Sequence, residues 1–426
     1  MDYQTTLVYC DTYQRIRRSA GIPATKGSLM PDAVIVDAVR TASGKGKPGG
    51  ALSGVHPVDL LATVLQELVA RTGIDPAQVD DVIGGCVTQT GEQSLNITRN
   101  AVFAAGFPES VPAATVDRQC GSSQQAAAFA AQGVLSGYYD IVIAAGVESM
   151  SRAPMFSSIQ GQDPYGAKIP ARYPAGLVQQ GISAEIIAAR WKLDRETLDT
   201  FSARSHELAA RATADGAFAR EIVSVPVSRA DGLAGEHVTD ETIRAATTVA
   251  GLGGLKPSFY DEGYGQRFPE IDWRITAGNS SPLTDGASAV LIMSEDAASR
   301  AGLTPRARFR SFSVTGDDPV LMLTGIIPAT RKVLARTGLT IDDIDAFEVN
   351  EAFAPVPLAW LRDLAADPAR LNQRGGAIAL GHALGASGAR LLTTLLGTLE
   401  ATGGRYGLQT MCEGGGMANA TIIERL

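Results

Sequence analysis

The sequence predicts an α/β fold built in two halves of similar element order. Three observations carry this. Short apolar runs alternate with amphipathic stretches of helical period, a polar Pro/Gly-rich interruption follows, and the alternation then returns. At 426 residues the chain also exceeds one ordinary core, since about 150 residues per domain is typical.

Taken in order, residues 33–39, apolar except for Asp37, read as a buried strand. Residues 57–72 place Leu60, Leu61, Val64, Leu65 and Leu68 on one helical face. Residues 82–87 read as a strand, 98–105 as a helix, 114–117 as a strand, 122–136 as an Ala- and Gln-rich helix and 140–146 as a strand. From about Met150 the composition shifts to Pro, Gly, Gln and Tyr, with polar helices over 183–191 and 195–216 and irregular chain to about Pro282. Apolar residues 287–293, a helix over 326–337, a strand over 344–349, a helix over 388–402 and closing strands near 410–412 and 419–423 complete the pattern. The division expected is an N-terminal extension over 1–29, a first domain over 30–295 with an inserted loop domain over about 150–283, and a second domain over 296–426.

A net charge of -8, from 37 basic and 45 acidic side chains, opposes binding to nucleic acid or anionic lipid. No apolar run approaches the roughly 20 residues that span a bilayer. Residues 1–29 lack the apolar core of a secretory signal and read as an extension ahead of Met30. The four cysteines, Cys10, Cys86, Cys120 and Cys412, are widely spaced without a CxxC pair. That spacing argues against a disulfide framework or structural zinc and fits a reducing cytoplasm.

Four loops carry chemistry. Cys120 falls between a buried strand and an Ala-rich helix, where a helix N-terminus favours the thiolate. His382 is set among five glycines at 375, 376, 381, 385 and 388, as when backbone must approach a ligand closely. Cys412 ends a strand before Gly414, Gly415 and Gly416, where a second thiol can act as acid and base. Asn350 and Glu351 follow another strand end, where α/β folds gather their sites. The other histidines, His56, His206 and His237, lie at a helix start or in polar stretches and are expected at the surface.

From about Met30 to the C-terminus the chain resembles the thiolase family. The loops around Cys120, Asn350, His382 and Cys412 match that family's four catalytic loops in order, and residues 147–151 and 277–281 match two further signatures. The resemblance implies two βαβαβαββ halves packed as five α/β/α/β/α layers with an inserted loop domain. It also implies coenzyme A-dependent cleavage of a 3-oxoacyl-CoA to acetyl-CoA and a shortened acyl-CoA. In that scheme Cys120 is the nucleophile, His382 its proton acceptor and part of an oxyanion site with a water held by Asn350, Cys412 the second acid and base, and the Gly414 N–H a second oxyanion donor. Arg244, Ala277 and Ser281 fall where the family contacts coenzyme A. Coenzyme A is a substrate, no metal or resident cofactor is implied, and the family forms homodimers and homotetramers.

Some residues depart from the family pattern. Ala383 replaces the proline usual after the histidine, and Gln373-Arg374 replaces the usual Val-Asn. Residues 263–273 read as an insertion which, with the long loop 156–174, points to an acyl pocket unlike that of short-chain acetoacetyl enzymes. Degradation of fatty acids or of steroid side chains or rings is the expected setting, with biosynthetic acetoacetyl-CoA synthesis or plain acyl-CoA binding as alternatives. A literal Gly44-x-Gly46-x-x-Gly49, with Glu67 near the ribose-acid spacing, weakly suggests a dinucleotide fold, but Pro48 and further loop precede any helix. Ketoacyl-ACP synthases share the resembling fold but carry histidine or asparagine where this chain has Cys412.

Overall fold

The computed structural model describes residues 32–228 and 233–426, so the expectation for residues 1–29, Cys10 included, lies outside the described residues. The first half runs β1 (Ala33–Thr41), β2 (Gly44–Lys45), α1 (Pro57–Thr72), β3 (Asp81–Gly85), α2 (Ile97–Ala104), β4 (Ala113–Val116), α3 (Ser122–Leu135) and β5 (Ile141–Ser149). Between β5 and its last strand lie α4 (Lys168–Arg172), α5 (Gln180–Arg190), α6 (Arg195–Ala214), β6 (Ile222–Val223), the β7 (Val225–Ser228) and β8 (Ala234–His237) pair, α7 (Val249–Gly253) and α8 (Glu262–Arg267). Strand β9 (Thr284–Ser294) and α9 (Glu295–Arg300) close this half. The second half runs β10 (Ala307–Gly316), α10 (Ile326–Thr337), β11 (Ala346–Val349), α11 (Pro355–Leu364), α12 (Ala377–Leu380), α13 (Ser387–Thr402), β12 (Tyr406–Glu413) and β13 (Met417–Arg425).

The strand order in the first half is β4-β3-β5-β9-β1, and in the second β11-β12-β13-β10. Matching β10 to β1, β11 to β3, β12 to β5 and β13 to β9 makes the two orders the same. The counterpart of β4 is reduced to one parallel bridge, Phe347 to Leu371. This is the duplication that element order alone suggested, and it places Cys120 and His382 in equivalent loops, each between the third strand position and the next helix. The two sheets meet only where β1 pairs with β10 through Val34 with Arg308 and Ile35 with Ala307.

Five layers follow from which faces are apolar. Helix α1 starts on Pro57 with the His56 side chain accepting from the Val58 N–H, ends on left-handed Gly73, and buries its leucine face with α2 against the first sheet. The middle layer is α3 and α13. Ala126, Ala127, Ala130 and Ala131 of α3 are all buried, as a helix packed between two sheets requires, and they share a core with Leu392, Leu395 and Leu396 of α13. Helices α10 and α11 cover the outer face of the second sheet, where Trp360 and Phe347 pack edge-on at 5.2 Å between ring centroids.

Strand β10 and helix α11 are the longest elements that sequence reading missed, and the stretch it took as irregular holds β6, β7, β8, α7 and α8. The Gly44 motif belongs to β2, which pairs with β9 instead of opening a helix, so the dinucleotide reading has no structural support. Among the described residues no helix is long and apolar enough to cross a membrane.

Candidate active site

Cys120 sits in a loop tied tightly from within. Gln119 N donates to Asp117 Oδ1 at 2.7 Å, Ser122 Oγ to the Gln119 carbonyl at 2.6 Å, and Arg118 N to Ser122 Oγ at 2.9 Å. Gln119, just before the cysteine, holds a positive φ of 47°, a strained conformation for a residue with a Cβ. The thiol is buried and hydrogen-bonded by Gln180 at the start of α5. Here the structure corrects the expectation of a lowered thiol pKa. Burial first, then the nearby Glu413 carboxyl, pushes Cys120 up to about 12, because removal from water outweighs the helix terminus. The resting thiol is protonated and needs a base.

His382 is buried and held by its neighbours. Its N–H donates to Thr284 Oγ1 at 2.9 Å, and its Nδ1 lies 2.7 Å from Ser387 Oγ. The Ser387 hydroxyl spends its one proton on the Ala383 carbonyl at 2.8 Å, so the network assigns the hydrogen between them to Nδ1. That leaves the Nε2 lone pair directed at Asn350, whose Nδ2 is 3.4 Å away. Burial, then the Arg390 cation, lowers the imidazole to about 3, so the ring is neutral at rest. Asn350 Oδ1 is buried with no protein partner, an acceptor free for a ligand or water.

Cys412 is fully buried near the end of β12, close enough to Cys120 that each thiolate would oppose the other. Burial is the main reason its thiol is raised well above the ordinary cysteine value. Gly414 lies beside the Gln119 side chain, and left-handed Gly415 and Gly416, with φ of 81° and 77°, turn the chain into β13. The first half thus supplies Cys120, and the second half supplies His382, Asn350 and Cys412.

Two buried carboxylates hold the loops together. Glu148 accepts from the backbone of Val87, Thr88 and Gly385 and from Gln93 Nε2, which joins the first half to the histidine loop. Glu351 accepts from Ser205 Oγ, Asn372 Nδ2 and the Ile378 N–H. Gly385 is required by the first of these joints. A Cβ there would lie 2.4 Å from the Val147 carbonyl oxygen and 2.7 Å from Cys86 Cα, both backbone atoms that cannot swing aside. Gly385→Ala is therefore expected to destabilise the protein by about 3 kcal/mol, read as a lower urea midpoint. A midpoint equal to wild type would show that the loop is not clamped.

The departures at 374 and 383 leave the loop anchored. Arg374 pairs with Glu221 at 2.8 Å and donates to the carbonyls of Ala217 and Gly397, while Ala383 is buried. The assigned coenzyme A contacts lie on the outside of the inserted segment. Arg244 and Ala277 are exposed, and Ser281 is half-buried with its N–H on the Ala352 carbonyl at 3.0 Å. Residues 276–284 bridge the asparagine and histidine loops, through Ala354 N to the Asn279 carbonyl on one side and Thr284 on the other.

Two histidines were misplaced by sequence reasoning. His206 and His237 are buried rather than at the surface. His206 Nδ1 accepts from the Arg244 N–H, and desolvation followed by the Arg244 charge lowers its pKa to about 4, whereas the His237 ring meets the Ser43 carbonyl at 3.2 Å. Sequence reasoning also gave no role to Thr284, Ser387, Gln180 or Glu413. Only Ser387, five residues beyond the histidine and opening a helix, carried a local signal.

Comparison with known proteins matches residues 33–296 to the model for "Thiolase, N-terminal domain" and residues 303–425 to that for "Thiolase, C-terminal domain". The steroid 3-ketoacyl-CoA thiolase FadA6 of Mycobacterium tuberculosis is 50% identical over 419 residues, covering 96% of this chain and 98% of that protein. A 3-ketoacyl-CoA thiolase of Erwinia tasmaniensis is 45% identical over 401 residues, covering 93% of this chain and all, 100%, of that one. The crystal structure of the Bacillus anthracis acetyl-CoA acetyltransferase superposes with a TM-score of 0.83 at 36% identity, over 93% of this chain and 99% of that one.

Proposed function

The chain belongs to the thiolase family, and from that premise we propose that it cleaves 3-oxoacyl-CoA thioesters with coenzyme A. The observation that carries this reading is the pairing of two buried thiols from two loops, Cys120 and Cys412, for which the buried, neutral His382 of a third loop is read as the base.

His382 Nε2 takes the Cys120 proton, and the thiolate attacks the substrate's C3 carbonyl. The resulting oxyanion is met by the Nε2–H that has just formed, together with a water held by Asn350. Its collapse breaks the C2–C3 bond, and the Cys412 thiol protonates C2 of the departing acetyl-CoA enolate. A second coenzyme A thiol gives its proton to the Cys412 thiolate and attacks the Cys120 thioester, whose oxyanion is held by the N–H groups of Cys120 and Gly414. Cys120 leaves and recovers its proton from His382. Arg244, Ala277 and Ser281 hold coenzyme A along the outside of the inserted segment, within the division 30–295 and 296–426, with the loop domain over about 150–283. No metal or resident cofactor enters the scheme. The working enzyme is a cytoplasmic homodimer or homotetramer.

The pocket features favour a bulky or long acyl chain, as in fatty-acid or steroid degradation. Arg267 of the 263–273 insertion donates to the carbonyls of Ala175 and Gly176, at the end of the long loop. Beside it Phe268, Trp273 and Ile271 pack with Val178 and Ile182. The two segments are one structural unit, and in this proposal they form the wall of the acyl pocket. A panel of short, long and ring-bearing 3-oxoacyl-CoAs tests this. Acetyl-CoA release is expected to be fastest on the long or ring-bearing members and slowest on acetoacetyl-CoA. Preference for acetoacetyl-CoA would favour the biosynthetic reading, and a folded protein inert on the whole panel would leave acyl-CoA binding alone.

A further inference from the structure

Strand β12 ends on Glu413, next to Cys412, and the pleat sends successive side chains to opposite faces. Glu413 is fully buried, and among the described residues neither carboxylate oxygen has a hydrogen-bond partner. Its carboxyl rests on Gly121, the residue after Cys120 and the N-cap of α3, where a Cβ would come within 2.0 Å of Oε1. Only glycine fits between them. Three groups face the carboxyl from the loop ahead of α3: Asp117, Arg118 and Cys120 itself. Cys412 adjoins it on its own strand, and β13 offers only the neutral Asn419, whose Nδ2 donates to the Gly121 carbonyl at 3.2 Å. Arg118 forms no ion pair with it among the described residues, and its own Nε is buried without a partner.

A buried carboxylate with neither donor nor ion pair is costly and is relieved by taking up a proton. Burial raises Glu413 to about 8, with Arg118 opposing and Asp117 adding to the rise. An ionised Glu413 in turn disfavours the thiolate on Cys120, on which Glu148 acts in the same sense from β5. A cleft of about 390 Å³, lined by Arg118, Gln125 and Asn419, opens beside this cluster.

We propose that Glu413 and Cys120 share a single negative charge, the thiol ionising readily only while the carboxyl carries its proton. Glu413 is then a positioning residue that acts through Cys120, and its importance for turnover rests on the reading of Cys120 as the nucleophile.

Iodoacetamide alkylation, followed by mass spectrometry on the Cys120 peptide across pH, reads thiolate directly and does not require turnover. Wild type and Glu413→Gln are expected to alkylate alike well below the point, about 8, where Glu413 ionises, and to diverge above it. On the alkaline side the variant's profile moves about one unit to lower pH, a roughly tenfold faster alkylation near pH 9. Glu413→Ala, which removes the carboxyl without leaving an unpaired amide, should move the profile the same way and serves if the glutamine variant does not fold. Superimposed profiles, or a shift to higher pH, overturn the proposal. The nucleophile reading fails separately, if Cys120→Ala retains thiolysis.

Discussion

Cys120→Ala is expected to lower kcat/KM for thiolysis by about 10⁴-fold or more, because it removes the only route through an acyl-enzyme. His382→Ala should come close to the same value. The Cys120 thiol, pushed up to about 12, is almost wholly protonated at neutral pH, and Nε2 of His382, the ring nitrogen that the network leaves without a proton, is the base in the proposed scheme. Since the two act as one unit, the double variant should be little worse than either single one. The measurement is acetyl-CoA release, with circular dichroism to confirm that each variant is folded. A folded Cys120→Ala enzyme within tenfold of wild type, or losses that multiply in the double variant, would refute the pairing of thiol and imidazole.

Cys412→Ala should separate the two half-reactions. Carbon–carbon cleavage needs a proton delivered to C2 of the leaving acetyl-CoA, so acetyl-CoA release should fall by about 10³-fold. Transfer of a saturated acyl group from its coenzyme A ester to Cys120 needs no such proton. Exchange of labelled coenzyme A into a saturated acyl-CoA should therefore stay within about tenfold of wild type. Loss of both activities together would mean that Cys412 supports the architecture of the Cys120 loop rather than a proton transfer.

Much of this was legible in the sequence, for identifiable reasons. Strands covered on both faces, such as β1, β5 and β9, carry long apolar stretches and announce themselves. The reacting loops announce themselves by a cysteine or histidine beside glycines. Strand β10 did not, because a bulge between Phe309 and Ser311 breaks its alternation and one face carries Arg308 and Arg310. The burial of His206 and His237 depends on chain far away in sequence, Ser43 in one case, and no local polarity reports that. Nor could the thiol's acidity be read locally, since the helix terminus is visible in the sequence whereas the enclosure around Cys120, and Glu413 within it, is made by the second half. Glu148 and Glu351 fall in stretches that sequence reading singled out, but their donors are drawn from several loops and only the fold brings them together.

The lost third strand of the second half alters how the two sheets end. Leu371 bridges β11 once, and the Asn372 side chain then meets both the N–H and the carbonyl of Val349, occupying the hydrogen-bonding positions a neighbouring strand would use. In the first half β4 has a strand neighbour on one side only, and on its other side the Asn96 side chain meets a single carbonyl, that of Ala113, at 2.9 Å. A body with two open margins can add copies without end, whereas one with a single open margin is satisfied by one copy of itself across a two-fold axis. Trimming one strand to a bridge and a side-chain amide thus closes the outer margin of β11 at Val349 against strand pairing.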